Sequence, residues 1–477
     1  PAALHDGRMT TPDHQAALVE ALRLAVGEQR MRVGDAISDD DGHDESLGVS
    51  PVRPLAVVTP ESAEHVSHVL ALCTQHGVPV TARGAGSGLS GACVPLPGGV
   101  VVSFERMAEV LEIDADNHLA VVQPGVRLDQ LDAILATHGL WYPVRPGEYS
   151  ASIGGNVNTN AGGMTAVRYG VTRHHVLGLQ IVLPTGEIMR TGGRIVKASS
   201  GYDLTQLVIG SEGTLALVTE ATLKLQPRPS HALTVLAPFA TLDEVTRAVP
   251  RVVASGVAPS ILEYIDLLTM AAIRATAGID LGVPEDVQAT ALAYLVIRLE
   301  GESDERLEGD MGQVAELLTT LGAIDVYVLP SGAAAGLIEA REKAFWMAKA
   351  SNANDIVDIA VPRGQIPALM AKASELAQTH ASWIAGYGHA GDGNVHLAVF
   401  QPDATIRKPL MMELFAAAVA LGGVVSGEHG IGIEKKPYFI ALEDPAKIAL
   451  MRRIKQAFDP AGILNPGKIF DLEGDAS

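Results

Sequence analysis

Cys73 and Cys93 are the only thiols in this 477-residue chain. An iron–sulfur cluster takes about four thiolates, so none is ligated within the chain alone. Both cysteines read as core thiols in a reducing compartment. Long apolar runs are also missing: nothing approaches the roughly 20 residues of a transmembrane helix. Pro1 to Gln15 carries no apolar h-region, so no secretory signal is visible, and Met9 is a candidate natural start. Positive charge is scarce, with 35 basic against 55 acidic residues. That balance argues against nucleic acid or an anionic membrane as partner. It leaves room for a small anionic substrate, because a site needs only local positive charge. The expectation is a soluble, cytoplasmic protein of two or three domains, with at most a peripheral seat on the inner face of a membrane.

Glycine is plentiful and unevenly placed. Pro79-Val-Thr-Ala-Arg-Gly-Ala-Gly-Ser-Gly-Leu-Ser-Gly-Ala92 puts it at 84, 86, 88 and 91, just after a short apolar run that reads as a strand. Residues without Cβ let backbone N–H groups approach an anion closely, and a pyrophosphate is the natural guest. Gly86-Ser-Gly88-Leu-Ser-Gly91 also matches the dinucleotide fingerprint of a βαβ unit letter by letter. That fingerprint requires a helix at once. Pro95, Pro97, Gly98 and Gly99 forbid one here, so the Rossmann reading fails on context.

The chain opens with a helix over 13–26, followed by a loop over 34–50. Thr59-Pro60 reads as the start of a second helix, with Thr59 as cap and Gly77 as stop. His65 and His68 on it read as solvated. Strands are expected at 100–104, 110–113 and 119–122, then a helix at 127–138. Residues 146–163 are dense in Gly, Ser, Thr and Asn, which can line a ligand; Ile153 and Val157 punctuate them as if packed. A hairpin at 179–191 and a strand at 221–225 precede Pro227 and Pro229, which mark a boundary. From 232 the order is β-α-β twice, the pattern of a ferredoxin-like sheet with helices on one face. Helices at 333–350 and 365–379 extend it.

A second glycine-flanked region carries titratable groups. Gly386-Tyr-Gly-His389-Ala-Gly-Asp-Gly-Asn-Val-His396 runs from a tight loop into a strand, and Ser426-Gly-Glu428-His429-Gly-Ile-Gly432 is a rigid turn after a helix. Two imidazoles and a carboxylate suit Zn²⁺ or another borderline divalent ion, with a position left for substrate. The spacing alone is equally compatible with three unrelated polar loop residues.

These stretches occur in one order, together with Gly210-Ser-Glu-Gly-Thr214 and a closing Phe458-Asp-Pro-Ala-Gly-Ile-Leu-Asn-Pro-Gly-Lys468. Over roughly residues 50–470 the chain resembles the FAD-linked 2-hydroxy-acid dehydrogenases of the vanillyl-alcohol oxidase superfold. That group includes the glycolate oxidase flavin subunit, D-lactate dehydrogenase and D-2-hydroxyglutarate dehydrogenase. The resemblance implies an α+β chain: an N-terminal helical segment (1–50), a two-subdomain FAD-binding domain (51–227), a ferredoxin-like cap with substrate and metal site (228–455), and a C-terminal return to the FAD domain (456–477). It places Arg83, Gly84, Ala85, Gly86, Ser87, Gly88 and Gly91 on the pyrophosphate. Pro146, Gly147, Ser152, Gly154, Gly155, Asn156, Ala161, Gly162, Glu212, Gly213, Val218 and Asn465 fall around the flavin. Some relatives attach flavin through a histidine in this loop; Ser87 stands there, so FAD is expected to be non-covalent. His389, His396 and Glu428 match the family's metal ligands, for Zn²⁺ first and Mn²⁺ or Fe²⁺ as alternatives, and His429 matches its general base.

The resemblance also bears on substrate. Relatives carry arginine where Phe345-Trp346-Met-Ala-Lys349 has lysine, which lacks the bidentate fork. Lys349, Arg363 and Asn394 are the candidate substrate contacts. Ile356 and Ala398 stand where the hydroxyglutarate enzymes carry a lysine and an asparagine. That favours D-lactate, glycolate or a bulkier apolar 2-hydroxy acid. The alternatives are a D-2-hydroxyglutarate dehydrogenase, a non-redox alkylglycerone-phosphate synthase-like enzyme, and a non-catalytic flavin-binding subunit. The electron acceptor (quinone, electron-transfer flavoprotein, cytochrome or iron–sulfur subunit) stays open, as does a homodimer.

Overall fold

The computed structural model describes residues 12–472, so the candidate start Met9 lies outside them. Met31–Val33 (β1), Ala56–Val58 (β2), Val80–Arg83 (β3) and Val100–Ser103 (β4) form a sheet in the order β1-β2-β4-β3. Its central strands β2 and β4 are parallel, buried and apolar up to Ser103, and helices Pro12–Val26 and Ala63–His76 share their core. The second helix starts later than Thr59 suggests. Ser62 is its cap, accepting from His65 N, and Gly77 closes it in the left-handed conformation. After Arg83 no helix forms before Leu128 except one short 3-10 turn, so the glycine loop is not a Rossmann element.

Val110–Asp114 (β5), Leu119–Val122 (β6), Leu140–Trp141 (β7), Val176–Val182 (β8), Ile188–Gly192 (β9), Leu217–Lys224 (β10) and Gln226–Pro227 (β11) follow. Five of them make an antiparallel sheet, β5-β6-β10-β8-β9, and β7 pairs with β11. Within 146–163, Ile153–Thr159 is a short helix whose Ile153 and Val157 are fully buried in this sheet's core. Much later in the chain, Leu464 bridges to Val80, and Ile463 and Leu464 join the first core.

His231–Phe239 (β12), Ile261–Asp266 (β13), Ala293–Gly301 (β14), Tyr327–Leu329 (β15), Asp355–Ala360 (β16), Trp383–Gly388 (β17) and Asn394–Phe400 (β18) build one antiparallel sheet in the order β15-β12-β14-β13-β17-β18-β16. Its first four strands have the ferredoxin-like order, as the β-α-β pattern suggests. The other three repeat that order in reverse, with β16, β17 and β18 in the places of β12, β13 and β14, and an isolated bridge from Ala360 to Val424 marks where a fourth strand would lie.

The expectation of helices on one face alone is corrected. Helices Leu242–Ala254, Asp304–Thr320, Ile366–Thr379 and Ala404–Ala420 cover one face, while Leu267–Ala277 and Ser331–Glu342 cover part of the other. The long helix over 333–350 is two helices, Ser331–Glu342 and Ala344–Ala350, meeting at Lys343. The helix at 267–277 escaped the sequence reading because its apolar residues lack a clean 3.6-residue period.

Phe415 is fully buried and its ring centroid lies 4.8 Å from that of Tyr438. Phe415→Ala is expected to cost the cap about 3–5 kcal/mol, seen as a lower urea midpoint for the transition that reports on Trp383, with the flavin-side transition unmoved.

Candidate active site

Strand alternation assembles the site. Leu262 and Tyr264 of β13, Val357 and Ile359 of β16, and Val395, Leu397 and Val399 of β18 point into the helix-covered core. With a side-chain period of two, Glu263, Asp358, Tyr387 and His396 must therefore share the opposite face, toward the flavin side. Asp358 and His396 are direct cross-strand partners. His389 follows in the turn after β17. Gly393 closes that turn at φ 95, and a Cβ there would land on the carbonyl oxygen of Val361. The 426–432 loop leaves the sheet edge just after the bridge at Val424.

His389 Nδ1 donates to Glu263 Oε1 at 2.6 Å, and Glu263 Oε2 lies 2.6 Å from Arg341 Nη2. The Arg341 guanidinium also covers the Tyr387 ring at 4.1 Å. This leaves His389 Nε2 facing Glu428 Oε1 at 3.1 Å, with His396 Nε2 3.3 Å from the same oxygen. His396 Nδ1 points to Asp358 Oδ1 at 3.8 Å. Two imidazoles thus turn one nitrogen to a shared carboxylate and the other to a carboxylate behind them, the arrangement that orients histidine toward a metal. The three ligand atoms lie within 4.8 Å of one another, so this donor set fits a small divalent cation.

Asp358 also meets His429 and Lys435: its Oδ2 lies 3.9 Å from His429 Nδ1 and 3.8 Å from Lys435 Nζ. Asp358, His396 and His429 form a second potential cation cluster, but the Lys435 ammonium already supplies positive charge there.

The electrostatics follow from burial and these neighbours. Burial opposes charge on His389, yet Glu263 and Glu428 outweigh it and hold its pKa well above the usual value. Burial likewise opposes charge on Glu428, but His389 and His396 hold its pKa well below the carboxylate range. Burial also opposes charge on Asp358, and His429, Lys435 and His396 overcome that and depress its pKa. His429 behaves oppositely: burial, reinforced by Lys435, outweighs Asp358 and lowers its pKa to about 4. Its imidazole is therefore neutral near pH 7 and able to accept a proton.

The glycine loop and these side chains line one cleft of about 1230 Å³, including its mouth. Gly84, Ala85, Gly86, Ser87 and Gly88 lie along one wall with Pro146, Gly147, Ser152, Gly155, Asn156, Ala161 and Gly162; His389, His396, Glu428 and His429 form the other end. Gly154, Glu212, Gly213 and Val218 line a second cavity that shares Gly84 and Gly155 with the first. The wall is built for close approach. A Cβ on Gly84 would fall on Ser152 Oγ, which caps the Ile153–Thr159 helix by accepting from Gly155 N. Such a cradle of small residues and backbone fits an extended dinucleotide-like cofactor.

Other expected residues lie outside the cavity walls. Arg83 donates to the carbonyl of His43, and Gly91 packs against Val49 and Ile433. Asn465 spends its amide on the carbonyls of Ala92 and Glu212 and accepts from Thr81 Oγ1. Lys349 is exposed and pairs with Glu45 at 2.5 Å, and Arg363 donates to the carbonyl of Gly391. Asn394 is buried, and its Oδ1 has no hydrogen-bond partner. Among the described residues, Arg341 is the one lysine or arginine lining the cleft, and the sequence reading missed it. Glu263 and Asp358 were missed as well. Their signal was available: each is a carboxylate inside an otherwise apolar strand, Ile261-Leu-Glu-Tyr-Ile265 and Ile356-Val-Asp-Ile359.

Residues 54–192 match a family model described as an FAD binding domain, and residues 228–469 match the C-terminal domain of FAD linked oxidases. An uncharacterized FAD-linked oxidoreductase of Mycobacterium tuberculosis is 56% identical over 445 residues, covering 93% of this chain and 97% of that protein. A D-lactate dehydrogenase of Anaerostipes hadrus is 37% identical, covering 93% and 95%. Among solved structures, 4-ethylphenol oxidase from Gulosibacter chungangensis superposes with a TM-score of 0.78 over 98% of both chains at 19% identity, a likeness of fold. Gly84→Ala is expected to lower bound FAD at least about ten-fold, read as the ratio of flavin to protein absorbance, with the far-UV spectrum unchanged.

Proposed function

We propose a reaction for this chain, which belongs to the FAD-linked oxidoreductases that include D-lactate dehydrogenase, the glycolate oxidase flavin subunit and D-2-hydroxyglutarate dehydrogenase: oxidation of a D-2-hydroxy monocarboxylate to its 2-oxo acid. The observation that carries it is the convergence, in one cleft, of the glycine cradle, the His389–His396–Glu428 donor set and a neutral His429. Non-covalently bound FAD supplies the two-electron acceptor, and a divalent cation, Zn²⁺ first, held by His389, His396 and Glu428 supplies a Lewis acid for the substrate hydroxyl. His429 takes the hydroxyl proton as general base, its Nδ1 side turned toward Asp358. Glu263 keeps His389 in the tautomer that presents Nε2. Arg341 is the carboxylate anchor, because Lys349 and Arg363 do not line the cleft. Its planar fork suits a carboxylate, and its place against Glu263 and Tyr387 fixes it beside the ligand set.

The monocarboxylate preference rests on the cleft's cations: among the described residues Arg341 is the one lysine or arginine that lines it. Ile356 and Ala398 are cross-strand partners buried with Ala353 in an apolar cluster outside the cleft lining. A second carboxylate in the cleft would be desolvated without a cation of its own. Phe345, Trp346 and Met164 also line the cleft and favour an apolar side chain on the substrate.

The first test is an anaerobic visible spectrum before and after D-lactate. Bleaching of the flavin bands is expected, with glycolate and bulkier 2-hydroxy acids assayed beside it. A spectrum that stays oxidised with every 2-hydroxy acid overturns the reading. His429→Ala is expected to slow bleaching by about 10²–10⁴-fold with flavin still bound, and chelation should abolish it reversibly. Arg341→Met is expected to raise KM about ten-fold or more, read from initial rates across substrate concentration.

A further inference from the structure

The loop that carries Glu428 and His429 is held from two sides. From the cap, Asp358 Oδ2 accepts from Glu428 N at 2.9 Å and His429 N at 2.8 Å. From the flavin side, Glu212 Oε1 accepts from Ile431 N at 2.7 Å and Glu212 Oε2 from Gly432 N at 2.8 Å. Both carboxylates are buried. The family resemblance places Glu212 around the flavin, yet its carboxylate is spent on the loop.

Glu212 is itself rigidly seated. It sits in the left-handed region at φ 53, where a residue other than glycine needs support. Its N–H donates to Asn158 O at 2.8 Å, and its carbonyl accepts from Asn465 Nδ2 at 2.7 Å. The next amide, Gly213 N, donates to Asn158 Oδ1 at 3.1 Å. Glu212 and Gly213 line the second cavity beside Gly154 and Gly155. The same residue therefore touches the cofactor cradle and grips the loop bearing the base. A carboxylate receiving two backbone N–H groups makes charge-assisted bonds, which are short and directional.

We propose that Glu212 is a positioning residue: it sets the register of the 426–432 loop against the flavin cradle, and so places His429 and Glu428 for reaction. The inference rests on the oxidation proposed above. Glu212 touches no reacting atom, and it acts through the backbone of Ile431 and Gly432. Rate is sensitive to such placement, since a shift of about 1 Å costs on the order of 100-fold.

Glu212→Gln tests this. A glutamine offers one acceptor oxygen and must turn its NH₂ toward a second N–H donor, so one of the two bonds is lost. Gly430→Ala attacks the same contact from the loop: the added methyl would sit 3.0 Å from Glu212 Oε1 at φ 84. In both variants, hydrogen exchange of the peptide spanning 426–432 is expected to quicken, read on FAD-loaded protein without substrate. Flavin bleaching per bound flavin should slow about 10- to 100-fold. Flavin and metal content should hold, and reoxidation of photoreduced flavin by an artificial acceptor should keep its rate. Unchanged exchange overturns the inference. So does an unchanged bleaching rate per flavin, including the case where FAD alone is lost, which would make Glu212 a cofactor ligand. Failure of the wild type to bleach would instead count against the oxidation reaction, and the exchange result would still decide whether Glu212 holds the loop.

Discussion

One oxygen of Asp358 receives three hydrogen bonds, from Ser426 Oγ and from the backbone N–H groups of Glu428 and His429, in a side chain with no solvent exposure. A lone buried carboxylate is costly, and donors that hold its charged form are what make it tolerable. Here those donors belong to the segment that carries His429 and Glu428. The same charge faces His396, His429 and Lys435. Remove it and the loop loses its anchor, two imidazoles lose the carboxylate behind them, and buried Lys435 loses the carboxylate that lies 3.8 Å from its Nζ. The site's polar groups stand or fall together, as buried networks do.

The cap sheet makes this network affordable in packing terms. Its helix-covered face is apolar almost without exception, so one face can carry the core while the other carries charge. Glu263 with Arg341 and Asp358 with Lys435 are ion pairs set into that second face. Such pairs add little to stability on balance; what they supply is orientation. His389 and His396 cannot rotate without breaking contact with Glu263 or Asp358, so the two nitrogens that face Glu428 are fixed before any ligand arrives.

Much of this was legible in the sequence. The glycine loop at 84–91, the packed character of Ile153 and Val157 and the ferredoxin-like strand order follow from local pattern and turn chemistry, while the grouping of the two histidines with Glu428 comes from the family resemblance, since spacing alone leaves it open. What escaped was of two kinds. Arg341, Glu263 and Asp358 are distant in sequence from the residues they serve, and their partnership exists only in the folded cap, with Glu263 and Asp358 on strands and Arg341 on the helix Ser331–Glu342. Lys349 stands where relatives carry an arginine, and Arg363 is a candidate anion contact in Val361-Pro-Arg363, but neither place in the sequence decides which way a side chain points. The helix Ala344–Ala350 leaves Lys349 on its exposed face with Glu45, while the helix before it turns Arg341 inward.

The closing of the flavin-side core by Ile463 and Leu464 bears on the order in which the protein is made. Thr81 and Asn465 are hydrogen-bonded across a sequence separation of 384, and the whole cap is synthesised between them. A chain emerging from the ribosome can assemble the cap sheet while the flavin-side sheet still lacks its last layer. That layer, and the Asn465 amide that fastens Glu212 and Ala92, arrives only after the whole cap has been made. A chain stalled before this segment has a cap without a finished cradle, and the apolar strands of the first sheet lack the cover of Ile463 and Leu464.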